Sequence, residues 1–307
     1  MSNQTAPLRV FTAFSGYDSQ CLALDRLKAN FPNFDYELVG WSEIDKYAIQ
    51  AHNALFPQWA DRNFGDISKI DWSQVPDFDL FTYSSPCQDF SNAGMQKGGE
   101  EGSGTRSSLL WECRRAIVVK RPKYLLLENV AALVQKKFLP LFNKWIRSLE
   151  DYGYYNNWQV LNAKDYGVPQ NRARVFLVSI RRDLLAPNPI YNFPKPFKLE
   201  KRLKDVLEEN VDEKYYLSDK MVSNILSDSG TFVHKEPSTP PHEGIASTLN
   251  ARMAKMGRHD NYVKSIITEG YYSNSQNGRV VSALGISPCC ANGEKDGMPK
   301  VVESANG

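Results

Sequence analysis

The feature that most constrains the fold is an alternation between short β-rich apolar runs and longer amphipathic stretches over roughly the first 180 residues. The first helical pattern, DSQCLALDRLKANF (18–31), has Asp18 or Ser19 available as an N-cap, and a later one over 107–122 is ended by Pro122. Such βαβ units predict an α/β domain built on a mostly parallel sheet. The predicted strands are LRVFTAF (8–14), YELVGW (36–41), DLFTYS (79–84), KYLLLEN (123–129), WQVLNA (158–163) and ARVFLVSI (173–180).

The composition changes from about residue 185, where APNPIYNFPKPF holds four prolines in twelve residues. A chain of 307 residues suits one large domain and a smaller one, and its 42% of hydrophobic residues can build a sizeable core. We therefore expect a large domain over residues 1–184 and a smaller, loop- and β-rich region over 185–307. Within that region, stretches 244–264 and 285–301 are loosely similar, either as paired hairpins or by coincidence of turn composition.

Several classes of protein are disfavoured by the sequence. The N-terminus lacks a basic region followed by an apolar one, and no run approaches a membrane span, so we expect a soluble, cytoplasmic protein. The five cysteines include no CxxC pair and no histidine at ligand spacing, which argues against disulfides and a metal site. The net charge of +2 means that any basic surface is local.

Four acidic or reactive residues are expected at the carboxyl-end rim of the predicted sheet, where ligands of doubly wound sheets bind. They are Glu43, Asp66, Cys87 and Glu128. Each alone would be an ordinary loop residue, but all four on one rim in chain order indicate a site. A carboxylate after the second strand can accept both hydroxyls of a ribose, which fits Glu43.

The motifs around these residues resemble those of DNA (cytosine-5)-methyltransferases of the bacterial or phage type. The resemblance covers about residues 8–180, and the motifs stand in the order of the family. It implies a Rossmann-like domain that depends on S-adenosylmethionine, followed by a target-recognition domain. The motifs are FTAFSG (11–16), SEIDKYA (42–48), GDI (65–67), SPCQDFS (85–91), GTRSSLLWE (104–112), LLLENV (125–130) and YGVPQNRARVFLV (166–178).

The resemblance implies that Cys87 is a catalytic nucleophile. Its thiolate would add to carbon 6 of cytosine, so that carbon 5 can attack a methyl group. Glu128 would contact ring nitrogen 3, and Arg172 and Arg174 would help to stabilise the thiolate.

The resemblance also implies an S-adenosylmethionine site. Glu43 would hold the ribose, and Asp66 with Ile67 would meet the adenine. The family usually has a second glycine pair in its first loop, where this chain has Asp18 and Ser19. Because this cofactor has no phosphates, the departure is compatible with binding, although binding could be weaker. The other expected cofactor contacts are Phe14, Ser15, Gly16, Tyr17, Ile44, Pro86 and Leu109.

A duplex cytosine must be flipped out of the stack before it can react. We expect the glycine-rich stretch 92–108 to close over duplex DNA, with Gln88, Ser91 and Arg106 near the flipped nucleotide. Sequence recognition would fall to a basic segment of the C-terminal region, which could instead be an ordinary solvated loop. Its candidate DNA-binding residues are Arg252, Lys255 and Arg258.

The chain ends at VVESANG without the TPRE-like and GN motifs with which the family returns to the large domain. This ending indicates either a truncated or a degenerate form, and it predicts weak cofactor binding. Two alternatives stay open: a relative that binds DNA or cofactor without turnover, and an RNA cytosine-5 methyltransferase. For the DNA enzyme we expect a monomer, and a restriction-modification system could supply a companion endonuclease.

Overall fold

The computed structural model describes residues 6–86, 106–187, 191–206 and 246–247. Six of its strands form one sheet, and the other two form a small parallel pair. The helices are α1 (Ser19–Asn30), α2 (Lys46–Leu55), α3 (Glu112–Lys120) and α4 (Leu139–Asp151). The strands are β1 (Leu8–Ala13), β2 (Tyr36–Ser42), β3 (Leu80–Tyr83), β4 (Tyr124–Val130), β5 (Tyr154–Asn162), β6 (Gln170–Asn171), β7 (Ala173–Arg181) and β8 (Ala246–Ser247).

The large sheet has the strand order β2-β1-β3-β4-β7-β5. β1 pairs in parallel with β2 and β3, and β3 pairs in parallel with β4, whereas β7 runs antiparallel to β4. The carboxyl ends of β1 to β4 therefore meet along one edge. The predicted α/β class is confirmed, and all six predicted strands are present, although β5 begins at Tyr154 and not at Trp158.

The two faces of the sheet carry separate cores, as β1 illustrates. Val10 packs with Leu38 and Trp41 on one face, while its neighbour Phe11 packs with Phe81 on the other. All five side chains are buried. Successive residues of a strand point to opposite faces, so the continuous apolar run of β1 is what a strand covered on both faces requires.

One predicted helix differs from the observed structure. The stretch 107–122, expected to be one helix ended by Pro122, begins as a 3₁₀ helix over Arg106–Trp111 and becomes α3 only at Glu112. Leu110 and Trp111 are both buried at this junction. Helical periodicity alone does not distinguish such a 3₁₀ segment from an α-helix, and 3₁₀ turns are frequent at the start of α-helices.

The chain divides into two compact units, Met1–Leu161 with Ala173–Pro194, and Asn162–Arg172 with Lys195–Gly307. The first unit contains the large sheet apart from the last residue of β5. In the second unit β6 pairs with β8. The predicted boundary after residue 184 and the target-recognition role of the C-terminal region stay predictions. None of the helices in the described ranges is both long and apolar enough to span a membrane.

Candidate cofactor and catalytic site

The loop that follows β1 has an unusual backbone. Phe14, Gly16 and Asp18 all adopt the left-handed conformation, with φ of 55°, 58° and 66°. This region is uncommon for residues that carry a Cβ, so the loop is held by contacts from its surroundings. Tyr17 is half-buried within it. The expected cofactor loop is therefore a tight, fixed turn at the carboxyl end of β1.

Glu43 connects this loop to the end of β2 through backbone donors. Its Oε2 accepts the N–H of Gly16 at 2.9 Å, and its Oε1 accepts the N–H groups of Ile44 and Asp45 at 2.8 and 2.9 Å. A carboxylate offers about four lone-pair sites, so the arrangement leaves capacity on Oε2. The carboxylate is thus fixed in position and still able to accept a hydrogen bond from a ligand.

A second loop is attached to Glu43 by Asn63, whose role the sequence analysis did not identify. The Asn63 Oδ1 accepts the N–H groups of Glu43 at 3.2 Å and Gly65 at 2.9 Å, and its Nδ2 donates to the Glu43 carbonyl at 3.1 Å. The Ser42 hydroxyl also donates to the Gly65 carbonyl at 2.6 Å. Asn63 therefore holds the GDI motif beside the end of β2.

Asp66 begins the short helical turn that follows. Its Oδ1 accepts the hydroxyl and the N–H of Ser68, at 2.8 and 3.0 Å, and these hydrogen bonds lower the pKa of Asp66. Ile67 is buried beneath the turn. Arg115 of α3 donates to the carbonyls of Ser68 and Ile70, both at 2.9 Å. Arg115 was also missed, because only the folded chain brings α3 to this turn.

The carboxyl end of β4 reaches the segment that leads to Cys87. The Asn129 Nδ2 donates to the Ser85 carbonyl at 3.1 Å and to its Oγ at 3.3 Å, and both side chains are buried. The Val130 N–H donates to the Asn129 Oδ1 at 2.9 Å. Pro86 follows as a half-buried residue. The asparagine of the LLLENV motif therefore fixes the chain two residues before the cysteine.

Glu128, next to Asn129, faces Arg174. The Glu128 Oε1 lies 3.0 Å from the Arg174 Nε, and the side chains are 24% and 16% exposed. The pairing follows from the antiparallel register, in which Arg174 is opposite Val130 and so lies diagonally across from Glu128 on the same face. The structure thus brings two of the four predicted catalytic residues together.

The other predicted site residues are distributed as follows. Arg172 belongs to the second unit, where its N–H donates to the Asn162 Oδ1 at 2.9 Å. Leu109 is half-buried in the 3₁₀ helix before α3, a helix that also contains the backbone of Arg106. The side chain of Arg106 lies outside what the structure describes, as do Cys87, Gln88, Ser91, Arg252, Lys255, Arg258, the stretch 285–301 and, apart from β8 (Ala246–Ser247), the stretch 244–264.

The edge formed by the β1 and β2 loops fits a nucleoside-like ligand such as S-adenosylmethionine. The Ser15 Oγ is buried and has no hydrogen-bond partner among the described residues. An unpaired buried hydroxyl is costly, and a polar ligand group would satisfy it. Ile44, beside Glu43, leaves 71% of its surface exposed and offers an apolar contact for a ring. The residues present therefore fit this cofactor.

The fold is similar to those of solved methyltransferases. The structure of Schizosaccharomyces pombe Dnmt2 matches with a TM-score of 0.60 at 17% identity, covering 86% of this chain and 77% of that one. The structure of Entamoeba histolytica methyltransferase EhMeth matches with a TM-score of 0.56 at 19% identity, covering 73% of this chain and 68% of that one. At such identities the likeness establishes the fold alone.

Similarity in sequence is more specific. The type II methyltransferase M2.ScrFI of Lactococcus lactis subsp. cremoris is 43% identical over 274 residues, which is 72% of this chain and 74% of that protein. The orphan methyltransferase M.SPRI of Bacillus phage SPR is 33% identical over 96% of this chain and 66% of its own length. The family model of the C-5 cytosine-specific DNA methylases matches residues 8–296. This chain belongs to the C-5 cytosine-specific DNA methylase family, a family of methyltransferase enzymes.

Proposed function

We propose that this protein transfers a methyl group from S-adenosylmethionine to carbon 5 of a flipped-out cytosine in a specific duplex DNA sequence. Family membership supports the reaction class. One observation supports the location of the chemistry: Glu128 faces Arg174 while its neighbour Asn129 holds Ser85, two residues before Cys87. The end of β4 thereby connects the motif of the candidate acid to the motif of the candidate nucleophile.

Cys87 would carry the covalent step. Its thiolate adds to carbon 6 of the base, and the electron pair displaced from the 5,6 double bond makes carbon 5 nucleophilic. A free thiol has a pKa of about 8.5, so the step needs nearby positive groups or N–H donors to favour the thiolate. Once carbon 5 carries the methyl group, its proton passes to a water molecule, the electron pair of that C–H bond re-forms the 5,6 double bond, and the Cys87 thiolate leaves carbon 6 with the C–S bonding pair.

Glu128 would support that addition from the opposite side of the ring. Its carboxyl group, oriented by Arg174, contacts nitrogen 3 and provides the proton or hydrogen bond that offsets charge entering the ring. We propose for Arg172 the role that its motif implies, which is to help stabilise the Cys87 thiolate.

The loops at the ends of β1 and β2 would bind the cofactor, which when bound supplies the reactive methyl group. Glu43 would accept the ribose hydroxyls, since Oε2 retains acceptor capacity. Asp66 with Ile67 would meet the adenine, and Ile44, which is 71% exposed beside Glu43, would add an apolar contact to the cofactor. Phe14, Ser15, Gly16, Tyr17, Pro86 and Leu109 complete the proposed set.

DNA would be the macromolecular partner. We propose that Gln88, Ser91 and Arg106 contact the flipped nucleotide and that Arg252, Lys255 and Arg258 contact the target sequence or its phosphates. The name of the relative with 43% identity, a type II methyltransferase, favours a restriction-modification role with a companion endonuclease. Protection of methylated DNA from that endonuclease would test this role.

Methyl incorporation tests the proposal. The purified chain is incubated with tritiated S-adenosylmethionine and mixed-sequence duplex DNA, and the hydrolysed bases are separated. We expect the label in 5-methylcytosine, and none when every cytosine of the duplex is already 5-methylated. A parallel reaction with transfer RNA tests the RNA alternative. Label in transfer RNA alone, or cofactor binding without transfer to either substrate, would contradict the proposal.

A further inference from the structure

Asp18 is a fully buried acid directly after the candidate cofactor loop. Its backbone is left-handed, with φ of 66° and ψ of 61°. Glycine adopts this conformation without strain, and aspartate and asparagine tolerate it better than other residues that carry a Cβ. The backbone alone would accept a glycine, so it does not account for a buried carboxylate at this position.

The contacts of Asp18 connect three parts of the site. Its Oδ2 accepts the hydroxyl of Thr12 in β1 at 2.6 Å, and its Oδ1 accepts the N–H of Cys21, which caps α1. Its own N–H donates to the Ser15 carbonyl at 2.8 Å. A single side chain thus fixes the end of β1, the loop and the start of α1 relative to one another.

His52 of α2 faces the same carboxylate. Its Nε2 lies 3.7 Å from the Asp18 Oδ2, and both side chains are completely buried. The imidazole stacks on Trp41, with ring centroids 3.7 Å apart and an interplanar angle of 19°. Among the described residues, the His52 Nε2 has no hydrogen-bond partner. The Asp18 carboxylate is the polar group that this nitrogen faces, although at 3.7 Å it lies beyond hydrogen-bond distance.

Two other titratable groups, Cys21 and Tyr36, lie near Asp18. Burial raises the pKa of the Cys21 thiol, and the negative charge of Asp18 raises it further. Burial and the hydrogen bond to Asp25 raise the pKa of Tyr36, to which Asp18 also contributes. Both groups stay neutral. His52 is the neighbour whose ring nitrogen faces the Asp18 carboxylate, and separating two buried polar groups from each other would be costly.

We propose that Asp18 and His52 form a buried positioning pair that sets the shape of the cofactor loop and so determines the affinity for S-adenosylmethionine. The inference rests on the proposed function and deepens it. Both side chains are fully buried behind the loop, so they act through the backbone that directs the Gly16 N–H to Glu43. Their loss should therefore weaken cofactor binding and leave turnover at saturating cofactor unchanged.

Calorimetric titration of S-adenosylmethionine into the full chain provides the test, with three variants. Asp18→Gly keeps the left-handed backbone and removes the carboxylate, Asp18→Asn keeps the shape, and His52→Phe keeps the stacking on Trp41. We expect each to raise the Kd by about tenfold and to change kcat by less than about twofold. The double variant Asp18→Asn with His52→Phe should have a Kd for S-adenosylmethionine no higher than the higher of the two single-variant values, because the two residues act as one unit.

Melting temperatures of the ligand-free proteins identify any variant that does not fold. If a variant does not fold, Thr12→Val replaces it, because this change removes one hydrogen-bond donor to Asp18. Its Kd for S-adenosylmethionine is compared with that of Thr12→Ser, which keeps the hydroxyl. An Asp18→Gly protein that binds the cofactor like the wild type, or additive losses in the double variant, would overturn the pair. If the wild-type chain binds no S-adenosylmethionine, the proposed function fails and this inference with it. If the wild-type chain binds S-adenosylmethionine and the variants bind it equally well, this inference fails while the proposed function stands.

Discussion

Two carboxylates on the same edge of the sheet are held in different ways. Glu43 accepts three backbone N–H groups, two of them from the residues that follow it directly. Glu128 is held by the guanidinium of Arg174, which comes from the antiparallel neighbour of its strand. The position of Glu43 is therefore a property of the loop backbone, whereas that of Glu128 depends on one long side chain. The comparison suggests that binding and chemistry can be disabled separately.

The largest effect is expected for Glu128→Gln. The amide cannot transfer a proton to the base, and it pairs less well with Arg174, so we expect kcat to fall by about 10² to 10³. The Kd for S-adenosylmethionine should stay within about twofold of the wild-type value. Single-turnover methyl transfer and calorimetry measure the two quantities. A large loss of cofactor affinity would show that Glu128 also contributes to cofactor binding, and the two carboxylates would then not have separate roles.

Arg174→Lys tests the side-chain support of Glu128. A lysine keeps the charge but cannot present the Nε–H at the same place, so we expect methyl transfer to fall by about 10- to 100-fold with unchanged cofactor affinity. Arg181→Lys is the matched control, because Arg181 lies on the same strand and pairs with the exposed Asp183. Equal rates for the two variants would show that Arg174 does not orient the acid.

Glu43→Gln should have the converse effect. One amide oxygen cannot accept all three N–H groups and a ribose hydroxyl, so the Kd for S-adenosylmethionine should rise by about tenfold. Because the backbone still holds the loop, kcat at saturating cofactor should change little. Titration calorimetry gives the affinity, and initial rates at high cofactor concentration give kcat. A fall in kcat with an unaltered Kd would contradict the assignment of Glu43 to binding.

The smallest expected effect is a pH-dependent change in the stability of the fold caused by Asp66. Hydrogen bonds from Ser68 hold its pKa below the ordinary value of about 3.9. Its contribution to stability is therefore present above that value and is lost as the pH falls through the lower folded-state pKa. Asp66→Asn removes this contribution, so its melting temperature should lie about 1–2 °C below the wild type at pH 6. The gap should narrow as the pH falls below that ordinary value, and thermal melts over a series of acidic pH values check it.

Much of the fold could be predicted because strand patterns and caps are local. The hydrophobic periodicity predicted all six strands of the large sheet, and Asp18 was correctly anticipated as a possible cap of α1. Helix α2 was not identified, although Asp45 caps it by accepting the N–H groups of Tyr47 and Ala48. Its first residues belong to the SEIDKYA motif, which was interpreted as part of the cofactor site and not as the start of a helix.

The supporting residues of the site could not be predicted in the same way. Asn63, Arg115 and Asn129 contact partners that lie 20, 47 and 44 positions away in sequence, and no local pattern marks them. His52 could not be predicted either, because its proximity to Asp18 requires α2 to pack behind the β1 loop. Motifs identify the groups that would touch a substrate, but folding decides which side chains hold those groups in place.

The most direct test of the central claim is the formation of a covalent complex. A mixed-sequence duplex in which 5-fluorodeoxycytidine replaces deoxycytidine is incubated with the chain and S-adenosylmethionine, because fluorine at carbon 5 blocks the final elimination. We predict a denaturation-resistant complex whose mass equals protein, DNA strand and one methyl group, with the linkage at Cys87. Cys87→Ser should form none, whereas Cys113→Ala, which changes a buried cysteine, should form it normally. A wild-type chain that methylates ordinary duplex DNA but forms no such complex would contradict the account.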